Sequence, residues 1–191
     1  MTKANGQMSK EIYLAGGCFW GAEHFLKQIE GVEATEVGYA NGHTDRPTYE
    51  EVCTDKTGFA ETVRVVYDPT RVGLAFLLDL YFKAIDPTSV NQQGGDRGTQ
   101  YRTGIYYVDE ADAATIDQVL ADQQQAVGEP PRRGASPAAQ FLSRRGLPPG
   151  LPGEEPRGLL PSACRPLRVG AQGQARPLRP LTQYEKPSTT S

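Results

Sequence analysis

The sequence predicts an α+β protein, a two-layer sandwich of helices on a mixed, mostly antiparallel sheet (a ferredoxin-like plait) followed by an irregular tail. Three observations predict it. Hydrophobic residues in the first two thirds repeat with a period of either two or three to four, the resulting segments follow the order β-α-β-β-α-β-α, and the last third is rich in proline and arginine. A length of 191 residues suits one domain with or without such a tail.

Four segments have strand patterns. Residues 11–14 alternate apolar and polar side chains, and residues 61–67 do so with many β-branched residues. Residues 32–40 form the next predicted strand, which an Asn-Gly turn ends. Residues 101–108 complete the set.

The three predicted helices each carry an apolar face, and they span residues 19–30, 71–85 and 110–126. Thr70 and Asp109 are the expected N-caps of the second and third, because a short side-chain oxygen can accept a hydrogen bond from the first free amides.

The chain divides near Val127. Residues 1–127 hold 19 acidic and 10 basic residues, whereas residues 128–191 hold 4 acidic and 10 basic residues and 12 of the 15 prolines. The second part has no isoleucine and one valine, so it can bury little apolar surface to offset the entropy of ordering. We expect a catalytic domain at 1–127 and a disordered tail at 128–191.

Charge and composition exclude several classes of function. A net charge of −3 does not favour nucleic acid or an anionic membrane as a partner, and no apolar run is long enough to cross a bilayer. The first residues lack the apolar stretch of a signal peptide, so we expect a cytoplasmic protein. Three cysteines, Cys18, Cys53 and Cys164, argue against a structural disulfide framework and leave room for a reactive thiol.

Cys18 is the candidate nucleophile. It follows a predicted strand and two glycines and begins a predicted helix, where the free amides favour the thiolate. Phe19 and Trp20 place two rings beside the sulfur, which suits a small apolar substrate with one polar atom. Most lone cysteines are buried and inert, so position alone leaves the catalytic and structural alternatives equally open.

Three sequence blocks decide between these alternatives. They are GGCFWGAEHFLKQIEGV at 16–32, EVGYANGHTDRPTYEEVCTDKTGFAETVRVVYDP at 36–69 and DPTSVNQQGGDRGTQYRTGIYY at 86–107. Together they resemble the methionine-S-sulfoxide reductases, the MsrA family, without a gap over roughly residues 10–127. The resemblance implies thiol-dependent reduction of methionine-S-sulfoxide, free or in proteins, by a peptide-methionine (S)-S-oxide reductase.

The resemblance also implies roles for individual residues. Cys18 would attack the sulfoxide sulfur and become a sulfenic acid. Glu61 would protonate the sulfoxide oxygen, since a carboxyl walled by aromatic rings can keep its proton. The remaining implied residues are the two tyrosines on that oxygen, Tyr49 and Tyr101, the pocket aspartate Asp96, and the aromatic wall for the methyl group, Phe19 and Trp20.

The family implies no metal and no bound cofactor, but an external reductant, thioredoxin or a small dithiol. Cys53 matches a position with no catalytic role, and His24 points away along its helix. Phe59 stands where many relatives carry a histidine, which makes the surroundings of the acid more apolar.

The family's C-terminal motif is missing after Val127. Read one base out of frame, residues 139–161 can encode RNFYPAEDYHQDYLEKNPGGYCH, which is that motif with its resolving cysteine. We therefore infer a frameshift near residue 128. The sequence TQYEKPS at 182–188 resembles the junction where some MsrA domains join an MsrB domain.

Two alternatives stay open from the sequence. The chain could be a crippled or inactive product that lacks the resolving cysteine. A cysteine hydrolase with a Cys–His pair is the weaker alternative, because His43 is the only other histidine besides His24 and lies in a predicted turn.

Overall fold

Six strands form the main sheet of the computed structural model, which describes residues 9–44, 47, 51–52, 54–128 and 135–143. The strands and helices, in chain order, are β1 (Lys10–Ala15), α1 (Phe19–Leu26), β2 (Val32–Ala40), β3 (Ala60–Tyr67), α2 (Leu74–Ala84), β4 (Gln92–Gln93), β5 (Asp96–Arg97), β6 (Gly104–Tyr107), α3 (Ala113–Val127), β7 (Ala135–Pro137) and β8 (Phe141–Ser143). Short 3-10 turns at Thr99–Tyr101 and Glu110–Asp112 precede β6 and α3.

The sheet is mixed and its four long strands are antiparallel. The order is β7-β6-β1-β3-β2-β8, so each helical crossover, from β1 to β2 and from β3 to β6, passes over one intervening strand. Only the β6–β7 pairing is parallel within the described residues. The α+β architecture predicted from the segment order is confirmed. β4 and β5 form a separate two-stranded ribbon between α2 and β6.

Alternation along β1 assigns its side chains to two faces. Ile12 and Leu14 join one large apolar cluster to which all three helices contribute. Tyr13 and Ala15 point to the other face, where they pack with Phe141 from β8. The helices therefore cover one face, and the chain after β7 covers part of the other.

Two predicted helices are shorter than expected. α2 begins at Leu74 rather than near residue 71, because Thr70 does not cap it: the Thr70 amide and hydroxyl both donate to Asp68 Oδ1, at 3.0 and 2.6 Å. α1 ends at Leu26, and a tighter turn continues from there, with the Ile29 amide donating to the Leu26 carbonyl.

The other predicted ends differ less. Asp109 is a cap, as predicted, since its side chain accepts from the Ala111 amide, but the first turn is 3-10 and α3 follows it. The last predicted strand begins at Gly104, because Tyr101 belongs to the preceding 3-10 turn. Of the described helices, none is both long and apolar enough to cross a membrane.

The sheet extends past Val127. β7 pairs with β6 at one edge and β8 pairs with β2 at the other, so the expectation of irregular structure is wrong for residues 135–143. Asn41 holds the connection between these strands. Its Nδ2 donates to the Pro137 carbonyl at 3.1 Å and its Oδ1 accepts from the Ala139 amide at 2.9 Å. Residues 144–191 lie outside the described part of the chain.

We predict that Asn41→Gly lowers the free energy of unfolding by about 1–3 kcal/mol, since the two side-chain hydrogen bonds to Pro137 and Ala139 are lost. Asn41 has a φ of 52°, which glycine adopts without strain, so the loss reports the side chain. Asn91→Gly is the matched control, with a φ of 50° and a side-chain oxygen that has no hydrogen-bond partner among the described residues. Urea unfolding measures the free energy of unfolding of both variants. Equal losses would show that the Asn41 side chain does not stabilise the connection between β7 and β8.

Candidate active site

Cys18 occupies the N-cap position of α1, directly after the Gly-Gly turn that ends β1. Its backbone is extended, with φ −62° and ψ 119°, and its carbonyl accepts from the Gly21 and Ala22 amides at 3.1 and 3.2 Å. The thiol is free and half-buried. This placement agrees with the prediction that a strand delivers the sulfur to a helix start.

Gly17 permits a close approach of three segments. Its φ is +80°, and a Cβ added there would lie 2.7 Å from the Cβ of Gln93. Its amide donates to the Tyr101 carbonyl at 3.2 Å. Glycine is required at this turn by both its conformation and its space.

Glu61 lies beside the same helix start. The antiparallel register pairs Ala15 of β1 with Thr62 of β3, so the end of one strand meets the beginning of the other. The Glu61 side chain is buried, and its Oε2 accepts from the Phe19 amide at 3.0 Å. The carboxyl therefore binds the helix terminus at the residue next to the thiol.

The pKa of the Cys18 thiol is raised above its ordinary value. Burial is the larger cause and the negative charge of Glu61 the next, while hydrogen bonds from the Trp20 and Gly21 amides lower the pKa and Asp96 adds a small increase. The helix start thus acts in the expected direction, but burial and the carboxylate outweigh it. The expectation that the resting thiol is pushed toward thiolate is wrong for this state.

Two aromatic residues follow Cys18 in the first turn of α1. The ring centroids of Phe19 and Trp20 lie 5.2 Å apart in an edge-to-face arrangement, and Phe19 lies 5.6 Å from the ring of Tyr39. Phe19 is buried in the main cluster, whereas Trp20 is only partly buried against it. Of the two rings predicted to form the aromatic wall, only Trp20 keeps exposed surface that a ligand could contact.

The other predicted residues divide into three cases. Tyr101 is half-buried in its 3-10 turn, and its backbone touches the Cys18 turn through Gly17. Asp96 lies in β5, near enough for its charge to affect the thiol. Tyr49, like Cys53, lies outside the described residues.

His43 serves the loop rather than the thiol. Its Nε2 bonds the Lys56 carbonyl at 2.7 Å and its amide donates to the Thr57 carbonyl at 2.9 Å. Phe59, at the position where a histidine was expected by resemblance, is fully buried in the core. Neither observation supports a Cys–His hydrolase.

Three residues around the site were not predicted. Tyr81 donates to the Ala15 carbonyl at 2.6 Å, Gln93 packs against Gly17, and Arg102 is buried among backbone carbonyls. Arg102 directly follows Tyr101 in the third sequence block, at 86–107, so that block could have indicated Arg102 as a site residue. Tyr81 lies on the apolar face of α2 and has no sequence signal that separates it from its neighbours.

The site combines a thiol at a helix start, a buried carboxyl bonded to the adjacent amide, and two aromatic rings. The thiol can accept an oxygen atom on its sulfur, and the carboxyl can supply the proton that this transfer requires. The fold and site thus define a cysteine-dependent oxidoreductase. The described residues contain no group of three or more His, Cys, Asp or Glu side chains that could hold a metal ion. Residues 10–143 match the family described as "Peptide methionine sulfoxide reductase". The chain therefore belongs to the peptide methionine sulfoxide reductase family.

Individual relatives agree with this membership. The chain is 56% identical over 123 residues to a peptide methionine sulfoxide reductase MsrA of Lachnoclostridium phytofermentans, covering 64% of this chain and 74% of that protein. Reduced Mxr1 of Saccharomyces cerevisiae has a TM-score of 0.66 and 35% identity, covering 70% of this chain and 78% of that one. Mxr1 in complex with Trx2 has a TM-score of 0.54 and 27% identity, covering 72% and 84%.

We predict that Glu61→Gln lowers the pKa of Cys18, since it removes the negative charge that helps to raise it. Alkylation of Cys18, mapped by peptide mass spectrometry across pH, should then reach its midpoint at lower pH and proceed faster at pH 7 than in the parent. Glu110→Gln changes an exposed glutamate on the 3-10 turn before α3 and serves as the control. An unchanged or higher midpoint in Glu61→Gln would show that the carboxyl does not act on the thiol.

Proposed function

We propose that Cys18 is the nucleophile with which this chain reduces methionine-S-sulfoxide, free or in proteins, to methionine. The observation that carries the proposal is the hydrogen bond from the Phe19 amide to Glu61, because it holds a carboxyl at the start of the helix that bears the thiol. Membership in the family supplies the reaction, and the local geometry supplies the groups that perform it.

The reaction balances with these two groups. The Cys18 thiolate attacks the sulfoxide sulfur, and the protonated oxygen then passes to the Cys18 sulfur as the substrate's S–O bond breaks. Cysteine is thereby oxidised to a sulfenic acid and the substrate is reduced to methionine. The oxygen must receive a proton before methionine can leave. Glu61 is the proposed general acid, a role typically worth about 10²–10⁴-fold in rate.

Cys18 and Glu61 are electrostatically coupled, which suits this division of labour. Because the charge of Glu61 disfavours the thiolate, the pair does not readily carry two negative charges. We propose that the reactive state pairs the Cys18 thiolate with a protonated Glu61. That state has the attacking sulfur and the proton donor ready together.

The remaining predicted residues are proposed as substrate contacts. Tyr49 and Tyr101 would hold the sulfoxide oxygen, and Asp96 would complete the pocket. Trp20, which is partly buried and adjoins Phe19, would receive the methyl group. Placing Trp20 as the contacting ring and Phe19 as its support follows from their different burial.

Thioredoxin or a small dithiol is the proposed reductant, and no bound cofactor takes part. The structure of the yeast relative Mxr1 with Trx2 supports a protein partner of this kind. A cytoplasmic location accords with this proposal, because a reducing compartment keeps Cys18 as a free thiol and supplies the dithiol.

We further propose that residues 1–127 carry the catalytic chemistry and that residues 128–191 are translated out of frame. The docked strands at 135–143 are compatible with this, because their ladders use backbone atoms that any sequence provides. The inactive alternative is not favoured, since the thiol, the carboxyl and the aromatic rings of the site lie together.

Cys18→Ser is predicted to abolish the release of methionine from a dabsylated S-sulfoxide substrate, since it removes the proposed acceptor of the oxygen. Cys53→Ser and Cys164→Ser are the matched controls and should retain most of the parent activity. Chromatography of the substrate and product measures all three. Activity retained by Cys18→Ser would overturn the assignment of the nucleophile.

A second prediction concerns stoichiometry. If the resolving cysteine lies in the unread frame, the chain should release about one methionine in the absence of a dithiol and stall as a Cys18 sulfenic acid. A sulfenic-acid probe followed by mass mapping identifies the product, and dithiothreitol should restore turnover better than thioredoxin. Efficient turnover with thioredoxin and a mapped Cys18–Cys164 disulfide would contradict the out-of-frame proposal.

A further inference from the structure

We propose that Arg102 is a positioning residue that fixes the turn beside Cys18 and the start of the strand that carries Glu61. The inference rests on the proposed function, because it assigns a task within the same reaction. Arg102 does not reach the reacting atoms and is not a catalytic residue. Its role is to set where the proton donor and the thiol turn lie relative to each other.

The guanidinium is buried and bonded to three backbone carbonyls. Nη1 donates to the Thr99 carbonyl at 3.1 Å, and Nη2 donates to the Gly58 carbonyl at 2.7 Å and to the Asn41 carbonyl at 3.5 Å. Arg102 is only 7% exposed, and it forms no ion pair with any acidic residue in the described part of the chain. A buried cation is costly unless it is hydrogen-bonded, and the three carbonyls provide such bonds.

Each carbonyl belongs to a different segment of the site. Thr99 begins the 3-10 turn whose Tyr101 carbonyl accepts the Gly17 amide, so this bond leads to the Cys18 turn. Gly58 lies three residues before Glu61 and has a φ of +70°, so its position sets the entry of β3. Asn41 directly follows β2 and holds the connection at 137–140.

The geometry of the side chain suits this task. An arginine has five N–H donors in a rigid planar fork and can bond several carbonyls at fixed angles, whereas a lysine ammonium on a flexible stem cannot. Asp55 reinforces the same junction, because its Oδ1 accepts from both the amide and the hydroxyl of Thr99 at 2.8 Å. The segment 55–58 and the 3-10 turn are thus joined by two side chains, the Arg102 guanidinium and the Asp55 carboxylate.

The test uses the full chain with Arg102→Met, which removes the fork, and Arg102→Lys, which keeps charge and length. Arg71→Met is the matched control, since Arg71 is exposed and pairs with Glu30 on the surface. Single-turnover methionine release at saturating substrate should fall about 10–100-fold in Arg102→Met, the loss typical of small misplacement of a catalytic group. Arg102→Lys should fall less, and Arg71→Met should match the parent.

A double-mutant cycle separates positioning from loss of stability. If Arg102 acts through Glu61, Arg102→Met should slow the Glu61→Gln protein by less than about threefold, so that the two effects are not additive. Additive effects, or a rate for Arg102→Met equal to that of the parent, would overturn the inference. A parent that releases no methionine would instead contradict the proposed function.

Amide hydrogen exchange tests the inference without catalysis. The Gly17 amide bonds Tyr101 and the Phe19 amide bonds Glu61, so both should exchange at least about tenfold faster in Arg102→Met and to a smaller extent in Arg102→Lys. The amide of Val63 in the sheet should keep its parent rate. Unchanged exchange at Gly17 and Phe19, or equal acceleration at Val63, would show that Arg102 does not hold the site.

Discussion

The pairing of β1 with β3 is the constraint on which the site depends. Its register places Ala15 opposite Thr62, so the last residues of β1 and the first of β3 lie at the same end of the sheet. Cys18 follows β1 at this end of the sheet, where α1 starts, and Glu61 lies near the first residue of β3 at the same end. A shift of one residue would turn the Glu61 side chain to the opposite face and away from the Phe19 amide. The register of β1 and β3 therefore determines whether the Glu61 carboxyl can reach the start of the helix that bears Cys18.

The central part of the fold follows from local patterns. β2 has the bounds that alternation and the Asn-Gly turn predict, and Asp109 caps where a short acidic side chain should. The pattern fails where a side chain has a competing local partner: Thr70 bonds Asp68, and α2 starts later. The pKa of Cys18 was misjudged for a related reason, since the sequence reveals the helix start but not the depth of burial or the distance to Glu61.

The docking of residues 135–143 shows what a sequence argument from composition cannot see. Poor hydrophobic content predicts that such a segment stays irregular, yet the open edges of β6 and β2 offer rows of unpaired amides and carbonyls. Ladder bonds and the amide of Asn41 recognise backbone, so they tolerate a segment whose side chains lack the expected pattern. The segment 135–143 follows α3 in the chain and pairs with both of these open strand edges.

The raised pKa of the Cys18 thiol also bears on which oxidants react with the protein. Hydrogen peroxide and similar small oxidants react with thiolates, and their rate follows the fraction of thiol that is ionised. A sulfur kept protonated by burial and by a neighbouring carboxylate is a poor target for them. The charge of Glu61, which raises the pKa of the Cys18 thiol, thus lowers the thiolate fraction on which oxidation by such small molecules depends.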